Sequence, residues 1–121
     1  MMLKKGERGL LLWEKQALFT QNIASLLQFI NSKGYSVTFG EAYRTPEQAA
    51  IYAKNGKGIV DSLHIRRLAL DLNLFDGDGI YLTDHDFYEP FGEYWETLHR
   101  FNRWGGRFKR DDSNHFEMQD L

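Results

Sequence analysis

Four histidines, His64, His85, His99 and His115, and the absence of cysteine bound the chemistry open to this chain. Disulfides, thiolate metal sites and thiol nucleophiles are excluded, so any metal chemistry rests on imidazole and carboxylate. His64 stands seven residues before Asp71, a spacing that suits one ligand on a loop and another inside the next strand, although a chain with nine aspartates offers such an offset by chance. Asp71 is the sharper signal. It interrupts a run in which Leu68, Leu70, Leu72 and Leu74 alternate with Ala69, Asp71 and Asn73, and a carboxylate inside a strand is costly to desolvate unless a cation compensates it. Two readings stay open: a carboxylate paired with an arginine or a metal, or a half-exposed strand whose outer face is polar. Near the C-terminus, Asp112-Ser113-Asn114-His115-Phe116-Glu117 places a carboxylate three residues before a histidine. Metal-assisted hydrolysis needs such a pair, with an imidazole to hold the ion and a free carboxylate to take a proton. The plainer reading is a charged tail on an edge strand. His85, in an expected loop, and His99, at the end of an expected helix, have no comparable neighbours and read as surface residues.

These residues must be positioned by the elements around them. Phe19, Ile23, Leu26, Leu27 and Ile30 recur at helical spacing within Leu12 to Lys33, and Lys33-Gly34 marks the helix end. Tyr35, Val37 and Phe39 then alternate with polar residues, the period of a strand with one buried face. Thr45-Pro46-Glu47-Gln48 combines an N-cap hydroxyl, a proline at the first helical position and a glutamine placed to close a capping box, so a short helix is expected to run to Asn55-Gly56. Gly56, Gly58, Asp61 and Ser62 make an irregular connection to the leucine-alternating strand. Asp76-Gly77-Asp78-Gly79 reads as a turn pairing Leu68 to Phe75 with Ile80 to Leu82, in preference to a calcium loop, because the other ligands of an EF-hand are missing. Thr83 to Pro90 reads as a loop, Glu93 to Asn102 as a helix that breaks at Trp104-Gly105-Gly106, and Asn114 to Met118 as a terminal strand. The basic run Arg107 to Arg110 reads as a solvated loop.

With these blocks in place, the run Ser62-Leu63-His64-Ile65-Arg66-Arg67-Leu68-Ala69-Leu70-Asp71 resembles the Ser-x-His-x-x-Gly-x-Ala-x-Asp signature of the zinc D-Ala-D-Ala carboxypeptidase and dipeptidase family, with Arg67 where the family has glycine. That family includes phage endolysins that cleave the L-alanyl-D-glutamate bond of peptidoglycan. Its aromatic-Arg block is matched by Ala42-Tyr43-Arg44-Thr45-Pro46-Glu47-Gln48, and its Trp-Gly-Gly turn and acidic-x-x-His-Phe ending by Trp104-Gly105-Gly106 and Asp112 to Phe116. The resemblance spans Glu41 to Glu117, and the aspartate at 112 is similar to the endolysin branch. It implies His64, Asp71 and His115 as zinc ligands with one coordination position left open, which is the usual form of a catalytic zinc site. It also implies Asp112 as general base and Arg44 as the cation that polarises the scissile carbonyl. Arg44 has a plainer reading as a salt bridge to Glu41. Ser62 either binds a substrate carboxylate or caps the local turn, Trp104 either walls the cleft or plugs the core, and Gln48 is better explained as the capping partner of Thr45.

Length and composition agree with one domain over residues 1–121: 42% hydrophobic and 15% aromatic residues supply a core. Fifteen Lys and Arg against 17 Asp and Glu leave a formal charge of -2, without the basic excess of a nucleic-acid grip. No apolar run reaches the length of a membrane span, and the stretch after the basic Met1 to Arg8 is too short for a signal-peptide core. The fold expected is α+β, with helices packed on a small, mainly antiparallel sheet bearing a mononuclear zinc site, of the Hedgehog/DD-peptidase-like kind. The resemblance implies a monomeric, zinc-dependent peptidase of peptidoglycan stem peptides. An endolysin-like L-alanyl-D-glutamate endopeptidase is the first expectation, held in the host cytoplasm until it is released to the wall. A D-Ala-D-Ala carboxypeptidase or dipeptidase, or a non-catalytic cell-wall-binding or phage structural module, is the alternative.

Overall fold

A computed structural model describes residues 9–56 and 62–121 of the protein. The basic stretch Met1 to Arg8, and Gly58 and Asp61 of the expected connection, lie outside the described residues. Helix α1, Leu12–Ser32, buries the stripe Phe19, Ile23, Leu26 and Ile30. It ends as the Lys33-Gly34 signal predicts: Gly34 takes φ +89°, and the N–H groups of Gly34 and Tyr35 bond back to the carbonyls of Asn31 (3.1 Å) and Ile30 (3.3 Å). This paired arrangement satisfies carbonyls the helix end would otherwise orphan. Strand β1, Ser36–Phe39, follows. Helix α2, Pro46–Lys54, begins where the Thr45 hydroxyl accepts the Gln48 N–H at 3.1 Å.

Strand β2, Ala69–Phe75, is the spine of the sheet. Leu70, Leu72 and Leu74 are buried on one face, so their alternation reads out directly as orientation. Strand β3, Tyr81–Leu82, folds back on β2 through a turn in which Asp76 Oδ1 accepts the N–H groups of Asp78 and Ile80, both at 2.9 Å. Helix α3 is His85–Leu98, strand β4 is Asn102–Trp104, a 3₁₀ turn covers Gly105–Arg107, and strand β5 is His115–Met118. The strands run in the order β1-β2-β5-β4 with every pairing antiparallel, and β3 also pairs with β2. Three helices on a small antiparallel sheet give the expected α+β class.

Several boundaries differ from the sequence reading. Thr83 to Pro90 is not a loop: α3 begins at His85 and runs through Pro90. A mid-helix proline costs about 3 kcal/mol, but Tyr88, Phe91 and Trp95 are all 2% exposed or less, and each such side chain contributes roughly 1.5–3 kcal/mol on burial. Tyr88 also donates its hydroxyl to Leu82 O (2.7 Å) and accepts the Leu74 N–H (3.1 Å), tying α3 to the hairpin. That helix stops at Leu98 rather than Asn102, which enters β4. Phe39, expected on the buried face, is exposed at the end of the edge strand β1. The C-terminal strand is no edge: β5 lies between β2 and β4 with all four residues buried.

Candidate metal centre and active-site cleft

Asp71 and His115 are direct cross-strand partners in the β2–β5 register. Facing positions on antiparallel strands bring Cβ atoms to roughly 4.5–5.5 Å, and here the His115 Nδ1 to Asp71 Oδ1 distance is 3.1 Å. His64 arrives from the turn before β2, where its N–H donates to Ser62 Oγ at 3.2 Å. Its Nε2 lies 3.4 Å from the same Asp71 oxygen. The two imidazole rings stand 5.0 Å apart, nearly edge to face. Gly40 allows this crowding: its N–H bonds to Asp71 O at 2.8 Å, and a Cβ there would lie 3.1 Å from Asp71 Cβ.

The donor set fits a zinc ion. One ligand atom from each of His64, Asp71 and His115 lies within 4.8 Å of the others, and zinc bonds of roughly 2.0–2.2 Å in tetrahedral geometry separate neighbouring donors by about 3.3–3.6 Å. The remaining ring nitrogens are occupied on the protein side. His64 Nδ1 faces Ala42 O at 3.2 Å, and His115 Nε2 faces Glu117 Oε1 at 2.7 Å. Outer partners of this kind orient a ligating histidine and set its tautomer. Glu117 is itself held by Arg103, whose Nε donates to Oε2 at 2.8 Å from the facing position on β4.

Electrostatics follow from this packing. Burial alone would raise the Asp71 pKa, yet hydrogen bonds and charge from His115 and His64 hold it at about 2. Burial would lower His115, but its bonds to Asp71 and Glu117 prevail and raise it to about 9. Asp112 moves up, chiefly through burial and with Asp71 adding repulsion, which makes it a stronger base than an ordinary aspartate. Its Oδ2 stands 3.8 Å from His115 Nδ1, and about half of its side chain remains exposed. A cleft of about 480 Å³ opens over the centre, lined by the three candidate ligands together with Arg44, Ser62, Phe108, Arg110, Asp111 and Asp112.

The structure brings most of the expected site residues together. Arg44 lines the cleft, but its guanidinium is bound to Glu41 through Nε (2.8 Å) and Nη2 and lies over the Tyr52 ring, so the salt-bridge reading describes its present contacts. Ser62 lines the cleft and also caps the turn. Trp104 does not wall the cleft: it is 1% exposed. A Cβ at Gly92 or Gly106 would fall 2.0 or 2.1 Å from its ring. The tryptophan is a core plug packed between two glycines, and its Nε1 donates to Ser113 O at 2.7 Å. Arg67 adopts φ +56°, the left-handed conformation that explains a glycine at this place in the signature. Its guanidinium stacks on Tyr43 with 4.1 Å to the ring centroid.

Two further residues join the site: Glu117, which has no role from sequence, and Glu41, read there only as a salt-bridge partner of Arg44. Glu117 was legible in principle, since two residues after His115 on a strand is the same face. Glu41 reaches within 3.7 Å of His64 Nε2 as well as binding Arg44. Its place depends on β1 continuing beside β2, where Glu41 O accepts the Asp71 N–H at 2.9 Å.

A buried imidazole-carboxylate-imidazole set beneath an open cleft, with a free carboxylate beside it, is the constellation of a mononuclear zinc hydrolase. The sequence profile of the D-alanyl-D-alanine carboxypeptidase family matches residues 55–118, a stretch that contains His64, Asp71, Asp112 and His115. The chain belongs to this family of peptidases and is a zinc metallopeptidase. Among solved structures it is similar to the L-Ala D-Glu endopeptidase ChiX of Serratia marcescens, at 17% identity and a TM-score of 0.66 over 82% of this chain and 79% of that one. It is also similar to a zinc(II) complex of a variant of VanY, the D,D-pentapeptidase of a VanB-type vancomycin resistance cassette, at 17% identity and a TM-score of 0.57 over 83% of this chain and 70% of that one. At such identities the likeness is one of fold. No curated protein sequence matches the chain.

Proposed function

We propose that this protein is a zinc-dependent peptidoglycan endopeptidase that hydrolyses the L-alanyl-D-glutamate bond of stem peptides, acting as a single monomeric domain over residues 1–121. The observation that carries this reading is the convergence of His64 Nε2 and His115 Nδ1 on one Asp71 oxygen, with Asp112 alongside in the open cleft. His64, Asp71 and His115 would hold the zinc. When bound, the ion supplies a Lewis acid and brings the pKa of water to about 7. Asp112 takes the proton of the attacking water on its carboxylate and delivers it to the leaving amine, a role suited to its raised basicity and cleft exposure. Glu41 engages only part of the Arg44 donor set, so the remaining N–H groups can polarise the scissile carbonyl and stabilise the oxyanion. Ser62 accepts the His64 N–H and keeps its own O–H free to meet a substrate carboxylate.

The L-alanyl-D-glutamate assignment is supported by the Asp-x-x-His form of the C-terminal block and by the fold shared with ChiX. A second reading, D-Ala-D-Ala carboxypeptidase or dipeptidase, is supported by the description of the matching family and by the fold shared with VanY. The non-catalytic module is disfavoured because base, candidate ligands and Arg44 all line one cleft. Among the described residues no helix is long and apolar enough to cross a membrane. In our reading a phage-encoded enzyme would reach the wall from the host cytoplasm once released.

Mass spectrometry of the products of a defined pentapeptide muropeptide separates these readings. A new D-glutamyl amino terminus is expected, whereas release of free D-alanine assigns the carboxypeptidase, and an intact substrate with zinc-loaded protein rejects both. Asp112→Ala should retain zinc while hydrolysis falls roughly 10²- to 10⁴-fold, the range for a general base; parental rates in this variant would displace Asp112 from the role.

A further inference from the structure

His85 does not take part in the chemistry above, yet it is the side chain through which α3 grips the segment carrying Asp112. Its Nδ1 lies 3.2 Å from both carboxylate oxygens of Asp111 and 3.3 Å from Ser113 Oγ. Ser113 Oγ in turn donates to Asp111 Oδ1 at 2.7 Å, so the residues on either side of Asp112 are tied to each other and to one imidazole. The ring itself packs against the buried Trp104, tilted by 45° with 4.9 Å between centroids, and its Nε2 faces Glu89 one turn along the helix at 3.8 Å. Two backbone bonds and one from a side chain hold the main chain of the segment: Asp112 N–H to Gly105 O (3.0 Å), His115 N–H to Asp112 O (3.0 Å) and Trp104 Nε1 to Ser113 O (2.7 Å). None of these fixes the direction of the Asp112 side chain.

From this geometry we propose that His85 is a positioning residue, which holds Asp111 and Ser113 against α3 and thereby directs the intervening Asp112 carboxylate toward His115. Asp112 opens a turn closed by the His115 N–H on its carbonyl, so where residues 111 and 113 are held sets the main-chain direction at 112. With 111 and 113 held against α3, and Asp111 itself at the cleft margin, the Asp112 Oδ2 is found 3.8 Å from His115 Nδ1. A carboxylate on a segment outside the strand ladders would otherwise sample several rotamers, and displacement of a reacting group by about 1 Å can cost on the order of 10²-fold in rate.

The inference rests on Asp112 being the base, and the experiment separates the two. His85→Phe keeps an aromatic ring against Trp104 and removes both nitrogens. In the zinc-loaded protein it is expected to lower kcat roughly 10- to 100-fold with KM changed less than about twofold and one zinc still bound. Placed in the Asp112→Ala background it should add no further loss to the residual rate, because the group it orients is gone. A parental kcat in His85→Phe overturns the proposal, as does an equal fractional loss with and without Asp112, which marks a general structural contribution. If His85→Phe does not fold, Asp111→Asn weakens the same clamp from the loop side and is read by the same two comparisons. Parental hydrolysis in Asp112→Ala alone defeats the base assignment, whatever His85 does.

Discussion

The candidate ligands and the candidate base are held by different means. Asp71 and His115 sit on adjacent inner strands, directly opposite each other in register, and His64 is locked by a turn whose backbone bonds to both sides. Asp112 hangs on an irregular segment between the 3₁₀ turn and β5, with half its side chain in solvent. A metal site needs donors fixed to a fraction of an ångström, which a hydrogen-bonded ladder supplies. A proton carrier must meet first water and then a leaving amine, and a tethered loop at the cleft margin suits that task.

The largest effect is expected where the ladder-held set loses its shared carboxylate. Asp71→Ala should abolish both zinc retention after dialysis and hydrolysis; a variant that keeps one zinc per chain by elemental analysis would show that the histidines suffice. Glu117→Gln tests the outer layer. It preserves shape while weakening the acceptor on His115 Nε2, and such changes cost about 10- to 100-fold in metal affinity. Competition with a chromophoric chelator would read the shift, hydrolysis at saturating zinc should stay within a few-fold of the parent, and unchanged affinity would remove Glu117 from the site. The smallest effect belongs to Arg67→Gly. Relief of the left-handed backbone, about 1–2 kcal/mol, is offset by the extra unfolded-chain entropy of glycine, about 0.5–1 kcal/mol, and by the lost Tyr43 stack, about 0.5–1 kcal/mol. The melting temperature should therefore move by no more than a few degrees; a large drop would make the Arg67–Tyr43 pair a structural necessity.

Much of this architecture was legible because it is written in local periodicity. The stripe from Phe19 to Ile30, the Gly34 stop, the Thr45 cap and the alternating leucines of β2 each depend on residues a few positions apart, and each appears where expected. The first two turns of α3 do not show in sequence because Pro90 and the polar run before it mask the stripe Tyr88, Phe91 and Trp95, which is buried only against the hairpin and α1. The two readings of Trp104 stay open in sequence for a related reason. An aromatic before two glycines reads equally as wall or plug, and only the packing of Gly92 against its ring decides.

The identities and order of the candidate ligands, the acidic residue before His115 and the cation at Arg44 are properties of the chain alone, since they rest on residue type and spacing. Their convergence is not. Residues 71 and 115 are far apart in sequence, and only the β2–β5 register sets them face to face, just as only the packing of α3 puts His85 beside Asp111. Long-range pairings of this sort arise from closing the whole core at once, because a strand's partner is chosen by the faces that must be buried together and not by any signal within the strand itself.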